Sequence, residues 1–392
     1  MSGPGGRSDE QVPTEDAAAA TAGDDLPPEA WAAALAGLPA MGPGRLRAVL
    51  DTWAPEEAWA VVAAGAGCSR PSVALACRPD PAGIAALWRV AARRVVPAQV
   101  WARHCQAGVA VWLRGSPEYP AELLVDAEAP AVVFSRGDPA ALEGRRAAII
   151  GTRRCTRYGR DVAYELGRDL ATAGVRIVSG LALGIDGAAH RGALSAEGAP
   201  PVAVVGSGLD VVYPPAHRSL WEQVGGAGLL VSEAPLGARP EPWRFPVRNR
   251  VIAALAEVVV VVESAEKGGS RHTVEAAMAR DRQVMAVPGS VRSPVSAYTN
   301  GLLADGCHPA RDALDVLVAL GLSSAPSAPA DLRPAPGPDE APVLDALGWE
   351  PATFDELCER GGRAPGQVSV ALARLQAGGW VVERAGWWER VT

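Results

Sequence analysis

From Pro28 to about Cys105, apolar residues recur at spacings of three and four: Trp31, Leu35 and Leu38, then Leu46, Val49, Leu50 and Trp53. That repeat is one face of an α-helix, so residues 28–105 are expected to form a helical domain. Beyond Val109 the pattern changes. Ala147–Ile150, Val175–Val178, Val202–Val205, Leu229–Val231, Val258–Val262 and Val284–Val287 are short apolar runs without alternation, as parallel strands buried on both faces show. Helical stretches separate most of them, which predicts βαβ crossovers and a doubly wound, mostly parallel α/β sheet over 106–320. Residues 321–339 are a Pro/Ala/Ser linker. In 340–392, Val343–Leu347, Thr353–Arg360 and Pro365–Gln376 predict three short helices, with Thr353 and Glu356 spaced as a capping box. Trp380–Glu383 and Trp387–Val391, joined by Arg384-Ala385-Gly386, predict a hairpin. Three helices and a two-stranded wing make a winged helix.

Composition sharpens this picture at the N-terminus. Residues 1–27 lack the large apolar side chains that folding needs and are expected to be a disordered acidic tail. Residues 1–30 hold Arg7 against seven acids, a net of −6 out of −7 for the whole chain. Overall acidity is therefore no argument against a nucleic-acid partner. The six cysteines form no CxxC pair and the five histidines no HxxxH, so neither a disulfide framework nor structural zinc is expected. No run approaches the ~20 apolar residues of a membrane span. No basic, apolar leader opens the chain, which predicts a cytoplasmic protein.

The most informative stretch is Arg145 to Arg160, which holds six arginines and no acid. Within it, Gly151, Thr152, Arg153, Arg154 and Arg157 follow the first strand of the sheet, where open α/β folds bind ligands. Amides at a helix start and guanidinium forks suit phosphate; the alternative is a solvated charge run. GxGxxG is absent, so this is not a dinucleotide fingerprint. Three more loops leave the same edge: Ser179-Gly180 with Asp186 and His190 beyond it, Gly206-Ser207-Gly208 leading to Tyr213-Pro214, and Lys267-Gly268-Gly269-Ser270. Arg248, Asn249 and Arg250 open the helix before the valine strand and offer bidentate donors, or else pair with Glu233 or Glu263 to fix loops. Asp186 and His190 are expected to cap and brace a helix. In the helical domain, Leu38 to Arg45 place two glycines around a proline, either a helix-hairpin-helix (SAM-like) turn that grips phosphates through its amides or a plain αα-corner.

The segments GTRRCTRYG, SGLALGIDGAAH, GLDVVYP, SEAPLG, FPVRNRVIAALA, VVVVESAEKGGSRHT and VMAVPGS stand in the order of the DNA-processing protein A (DprA/Smf) family, which the chain resembles over about residues 110–310. The resemblance implies an extended Rossmann-like core that binds single-stranded DNA and forms a homodimer. It also implies a recombination mediator that protects incoming DNA and loads RecA during natural transformation. Carried over by position, the family's Gly-Ser-Arg element falls on Gly151, Thr152 and Arg153, its RNR element on Arg248, Asn249 and Arg250, and its Ser-Gly-Ser loop on Gly268, Gly269 and Ser270. A fourth element falls on Ser293, Ser296, Tyr298 and Asn300, with Tyr298 at the family's glycine and able to stack a base.

No catalytic residue, cofactor or metal is expected: none of these loops holds a nucleophile with an evident base or a carboxylate pair with metal spacing. The rival is an enzyme, a nucleotide phosphoribohydrolase of related fold, whose PGGxGTxxE loop superficially resembles GGSRHTVEAA; Thr273 and Glu275 stand at the wrong offsets for it. The winged helix carries five arginines and eight acids, which predicts protein contact rather than DNA reading.

Overall fold

The computed structural model describes residues 26–322 and 333–391. The expected acidic tail up to Asp25 and most of the linker lie outside the described residues. Two compact units result, one on each side of the linker.

The first unit is built on a nine-stranded sheet: β1 (Ala110–Leu113), β2 (Val132–Gly137), β3 (Arg146–Ile150), β4 (Arg176–Ser179), β5 (Val202–Val205), β6 (Leu229–Ser232), β7 (Val258–Val261), β8 (Gln283–Ala286) and β9 (His308–Pro309). The order is β1-β2-β6-β5-β4-β3-β7-β8-β9. Strands β3 to β9 pair in parallel, whereas β2 joins β6, and β1 joins β2, antiparallel. The six expected strands are β3 to β8, each within one residue at either end. The additional strands escape the βαβ rhythm: β1 and β2 pair antiparallel with only the one-turn helix Ala121–Leu124 between them, and β9 is two residues long.

Alternate residues of β3, β4 and β7 feed two different cores. Ala147, Ile149, Ile177, Val258 and Val260 pack under helices Arg157–Thr172, Ile185–Ser195 and Ala313–Ala319. Ala148, Ile150, Val259 and Val261 pack under helices Arg244–Leu255 and Ser270–Met278. Both faces are dry, so the sequence shows valine runs rather than alternation. Each fully buried valine contributes about 1.5–3 kcal/mol relative to an exposed one.

The helical domain comprises Pro28–Ala36, Pro43–Leu50, Pro55–Ala63, Pro71–Ala76, Pro81–Ala92 and Pro97–Gln106. A proline opens each of these helices, where its missing N–H would have been unpaired in any case. Their core, centred on Leu35, Val49, Val62 and Trp88, runs on without a break into Phe134, Trp221 and Leu230 of the α/β part. The two parts therefore form one compact unit.

The second unit has helices Ala341–Leu347, Phe354–Gly361 and Pro365–Ala377 and a small sheet of β10 (Ala352–Thr353), β11 (Val381–Arg384) and β12 (Trp387–Arg390), ordered β10-β12-β11. The capping box forms: the Thr353 amide donates to Glu356 Oε2 at 2.8 Å, and the Glu356 amide donates to Thr353 Oγ1. Val343, Leu347, Leu357, Leu372 and Val381 make its core. This is a winged helix, with β10 as the one strand the sequence pattern did not reveal.

Candidate functional site

Starting from β3, the chain steps outward through β4, β5 and β6, then returns to the other side of β3 for β7 and β8. The loops after β3 and β7 therefore diverge and leave a crevice at the carboxyl edge, the place where such sheets bind ligands. Glu263 locks the two loops together. Its backbone carbonyl accepts from the Thr152 amide at 2.7 Å, and its buried carboxylate accepts from the Thr156 amide at 2.8 Å and the Thr156 hydroxyl at 2.5 Å. Thr156 in turn caps helix Arg157–Thr172 by accepting from the Gly159 amide. Only glycine fits at 151, since a Cβ there would lie 2.6 Å from Ile185 Cγ1 and 2.7 Å from the Glu263 carbonyl oxygen.

The crevice is a groove of about 650 Å³. Gly151, Thr152, Arg153 and Arg154 wall one side, and Gly268, Gly269, Ser270, His272 and Thr273 wall the other. Tyr213, Phe245, Arg248, Asn249 and Asp186 are also part of the lining. The Arg153 guanidinium lies 4.9 Å from the centroid of the Phe245 ring, which packs tilted against Tyr213 at 5.5 Å. Arg154 is exposed, its amide donating to Thr152 Oγ1. Neither arginine forms an ion pair with a carboxylate among the described residues, and Asp186, buried against Arg248, is the one acid in the lining whose charge Arg153 feels.

Arg248 plays a different part. It is 7% exposed, its Nη1 donates to the Val204 carbonyl, and its guanidinium fills the space a Cβ on Gly180 would need. Asp186, also buried, accepts from the Gly180 amide at 3.1 Å. Burial pushes Arg248 down to about 10 while the nearby Asp186 carboxylate opposes the shift, so it stays charged at neutral pH. Burial likewise raises Asp186, opposed first by Arg248. The two support the floor of the groove. His190 is fully buried, and burial pushes it down to about 3, so it is neutral at pH 7. Asp186 thus ties the loop after β4 to helix Ile185–Ser195, whereas neither ring nitrogen of His190 has a hydrogen-bond partner among the described residues and its ring fills the layer by packing.

The fold gathers part of the expected set and disperses the rest. Gly151, Thr152, Arg153, Arg154, Arg248, Asn249, Gly268, Gly269 and Ser270 line the groove, and Gly180 and Gly206 line a 60 Å³ pocket that shares Arg153, Phe245 and Arg248 with it. Asn249 Nδ2 reaches the Gly269 carbonyl at 3.4 Å. The Ser270 hydroxyl, by contrast, is buried and donates to Ser264 Oγ at 2.5 Å. Ser179 is fully buried and donates to the Ile149 carbonyl at 2.6 Å. Gly208 is packed against the Pro235 carbonyl, its amide donating to Ala238. Arg157 pairs with Asp161 one turn on, and Lys267 is exposed outside the lining. Arg250 faces away, bonded to Glu233 Oε1 at 2.5 Å, which realises the loop-fixing alternative for that residue. Tyr298 is half-buried beneath the Arg271 guanidinium, 5.6 Å from its ring centroid, and is not part of the lining.

Sequence reasoning missed the aromatic pair. Tyr213 ends one of the recognisable segments and Phe245 opens another, but nothing in the spacing showed that they meet. Among the described residues no group of three or more His, Cys, Asp or Glu could hold a metal, and no helix is long and apolar enough to cross a membrane.

A switch-point groove with open guanidinium groups and a glycine-rich rim marks a Rossmann-like α/β protein, and the chemistry of that groove suits a polyanion. The chain belongs to the DNA recombination-mediator protein A (DprA/Smf) family, whose description matches residues 110–321, over half its length; the DprA winged helix domain matches 325–386. It is 40% identical to the putative DNA processing protein DprA of Mycobacterium tuberculosis over 267 residues, covering 66% of this chain and 68% of that one. It is 36% identical to protein Smf of Escherichia coli over 284 residues, covering 70% and 75%. The solved DNA processing protein A of Streptococcus pneumoniae superposes with a TM-score of 0.62 at 28% identity, covering 75% of this chain and 98% of that one.

Proposed function

We propose that the groove binds single-stranded DNA through its phosphates, and that the protein is a recombination mediator rather than an enzyme. The carrying observation is the pair Arg153 and Arg154, unneutralised at the switch point beside the Gly268-Gly269 rim. Phosphates would lie against these guanidinium groups and the open backbone, while Phe245 and Tyr213 offer base faces that need no particular sequence. Binding is then nearly sequence-independent, and log K falls by ~0.7 per phosphate neutralised as log salt rises. Hydrolysis finds no support in the lining, because Asp186, its one carboxylate, is buried against Arg248 and the Gly180 amide. The family further supports a homodimer in the cytoplasm that shields incoming strands and delivers them to RecA during natural transformation. The relatives from Mycobacterium tuberculosis and Streptococcus pneumoniae carry DNA-processing names in keeping with this reading.

The test is equilibrium binding of a labelled single strand of about 30 nucleotides across a salt series. Preference for single over double strands, with a steep salt slope, is expected. Absence of binding by the folded protein at low salt would sink the reading, and release of free base from nucleoside monophosphates would replace it with the hydrolase. RecA loading is checked separately, by whether the protein speeds RecA filament growth on a coated strand.

A further inference from the structure

Helix Arg244–Leu255 presents a second face that the groove does not use. Phe245, Arg248, Asn249 and Ile252 face the groove, whereas Arg244, Val247 and Arg250 face a larger cleft of about 1110 Å³. The far wall of this cleft is the Pro39–Arg45 turn of the helical domain. Four arginines (45, 47, 244 and 250) and two glutamates (128 and 241) line it, in a chain whose overall charge is negative. Arg45 donates to the carbonyls of Ala40 at 2.8 Å and Ala76 at 3.2 Å, and Arg47 to that of Ala127 at 2.9 Å. Neither has an acidic partner among the described residues, so their charges remain available.

Trp243 stands on the ridge between the two depressions. It lines the cleft, while its neighbours Pro242 and Phe245 line the groove. The residue is 44% exposed, its Nε1 is held by Glu241, and the Arg244 guanidinium covers its ring at 4.5 Å. Its Cη2 approaches Gly42 of the opposing turn, where a Cβ would lie 3.9 Å away. Arg244 itself pairs with Glu241 at 3.7 Å, so the exposed indole, fixed by its own N–H, shares the cleft with Arg45 and Arg47 as its arginines without an acidic partner, the composition of a base-stacking platform.

We propose that this second cleft takes the continuation of the same single strand, with a base on Trp243 and phosphates against Arg45 and Arg47. The inference rests on the groove reading above and deepens it. A strand leaving the groove at Phe245 meets Trp243 directly across the ridge, and the excess of arginine over glutamate complements its backbone. The helical domain is then a working part of the binding surface, and the turn between its first two helices is more than an αα-corner.

Two strand lengths separate this idea from the reading it rests on. A strand of about 6 nucleotides fills the groove alone, and one of about 20 reaches both depressions. Trp243→Ala and Arg47→Glu should each weaken the long strand at least about fivefold and leave the short one unchanged, and Trp243→Phe should restore most of the loss. Arg153→Ala should weaken both lengths. Long-strand binding unaffected by Trp243→Ala and Arg47→Glu, or an equal loss for both lengths, overturns the second cleft while the groove stands. Failure of the wild type to bind either strand overturns both.

Discussion

The sheet edge leaves two arginines without an ion-paired carboxylate among the described residues, whereas three of the five arginines in the winged helix stand beside an acid. At the edge, Arg153 and Arg154 have no acidic partner among the described residues and face a groove. In the winged helix, Arg374 pairs with Glu340 at 3.5 Å, Arg363 with Asp339 at 3.8 Å and Arg360 with Glu356 at 3.9 Å. Arg374 is the one arginine on its longest helix, the element that would enter a DNA groove in other winged helices. What marks a polyanion site is uncompensated charge beside open backbone, and a count of basic residues does not reveal it.

This contrast can be broken experimentally. The largest effect should come from Arg153→Ala/Arg154→Ala, which is expected to weaken single-strand binding by about 100-fold, roughly 3 kcal/mol, and to flatten the salt slope by about 1.4. Fluorescence titration at several salt concentrations measures both. Unchanged affinity would remove the groove from consideration.

Gly151→Ala tests whether the rim must be built this tightly. The added methyl meets Ile185 and the Glu263 carbonyl, so urea unfolding should show a loss of about 1–3 kcal/mol, with DNA affinity falling as the two loops separate. Full stability would mean that the loops are not locked together.

His190 gives a pH signature of the packed layer beneath the groove. Its folded value of about 3 lies below the ordinary 6.5, so the unfolded chain binds the proton first. Wild-type stability should therefore fall as pH drops through 6.5 toward 3. His190→Leu should lack this component, so the stability difference between the two proteins shifts in favour of the variant across that window. Parallel pH profiles of unfolding would contradict a buried neutral imidazole.

The smallest effect is expected from removing residues 340–392, which form part of a separate compact unit. Single-strand affinity should stay within about threefold of the full chain. A loss of about tenfold would show that the winged helix reads DNA despite its paired arginines.

Much of this organisation was legible in the chain itself. The valine runs gave β3 to β8 because strands buried on both faces must be apolar throughout, and the Thr353/Glu356 spacing gave a helix start because capping is local. Arg153 and Arg154 were legible as groove residues because they directly follow a strand end. Arg250 was not: it follows Asn249 directly, but the helix turns it to a different face, toward Glu233. Ser179, Gly208 and Tyr298 likewise looked available in sequence and are occupied by packing or by neighbours in space.

The sequence by itself determined the sequence-local features: which segments become strands and helices, where helices start, and which loops carry glycine and arginine. Tertiary structure decided which of those loops meet, which arginines find an acid, and how Phe245, Tyr213 and Trp243 come to flank two depressions. The physical reason is range. Propensity, periodicity and capping act within a few residues, whereas charge compensation and cavity shape depend on elements that the sheet order brings together from far along the chain.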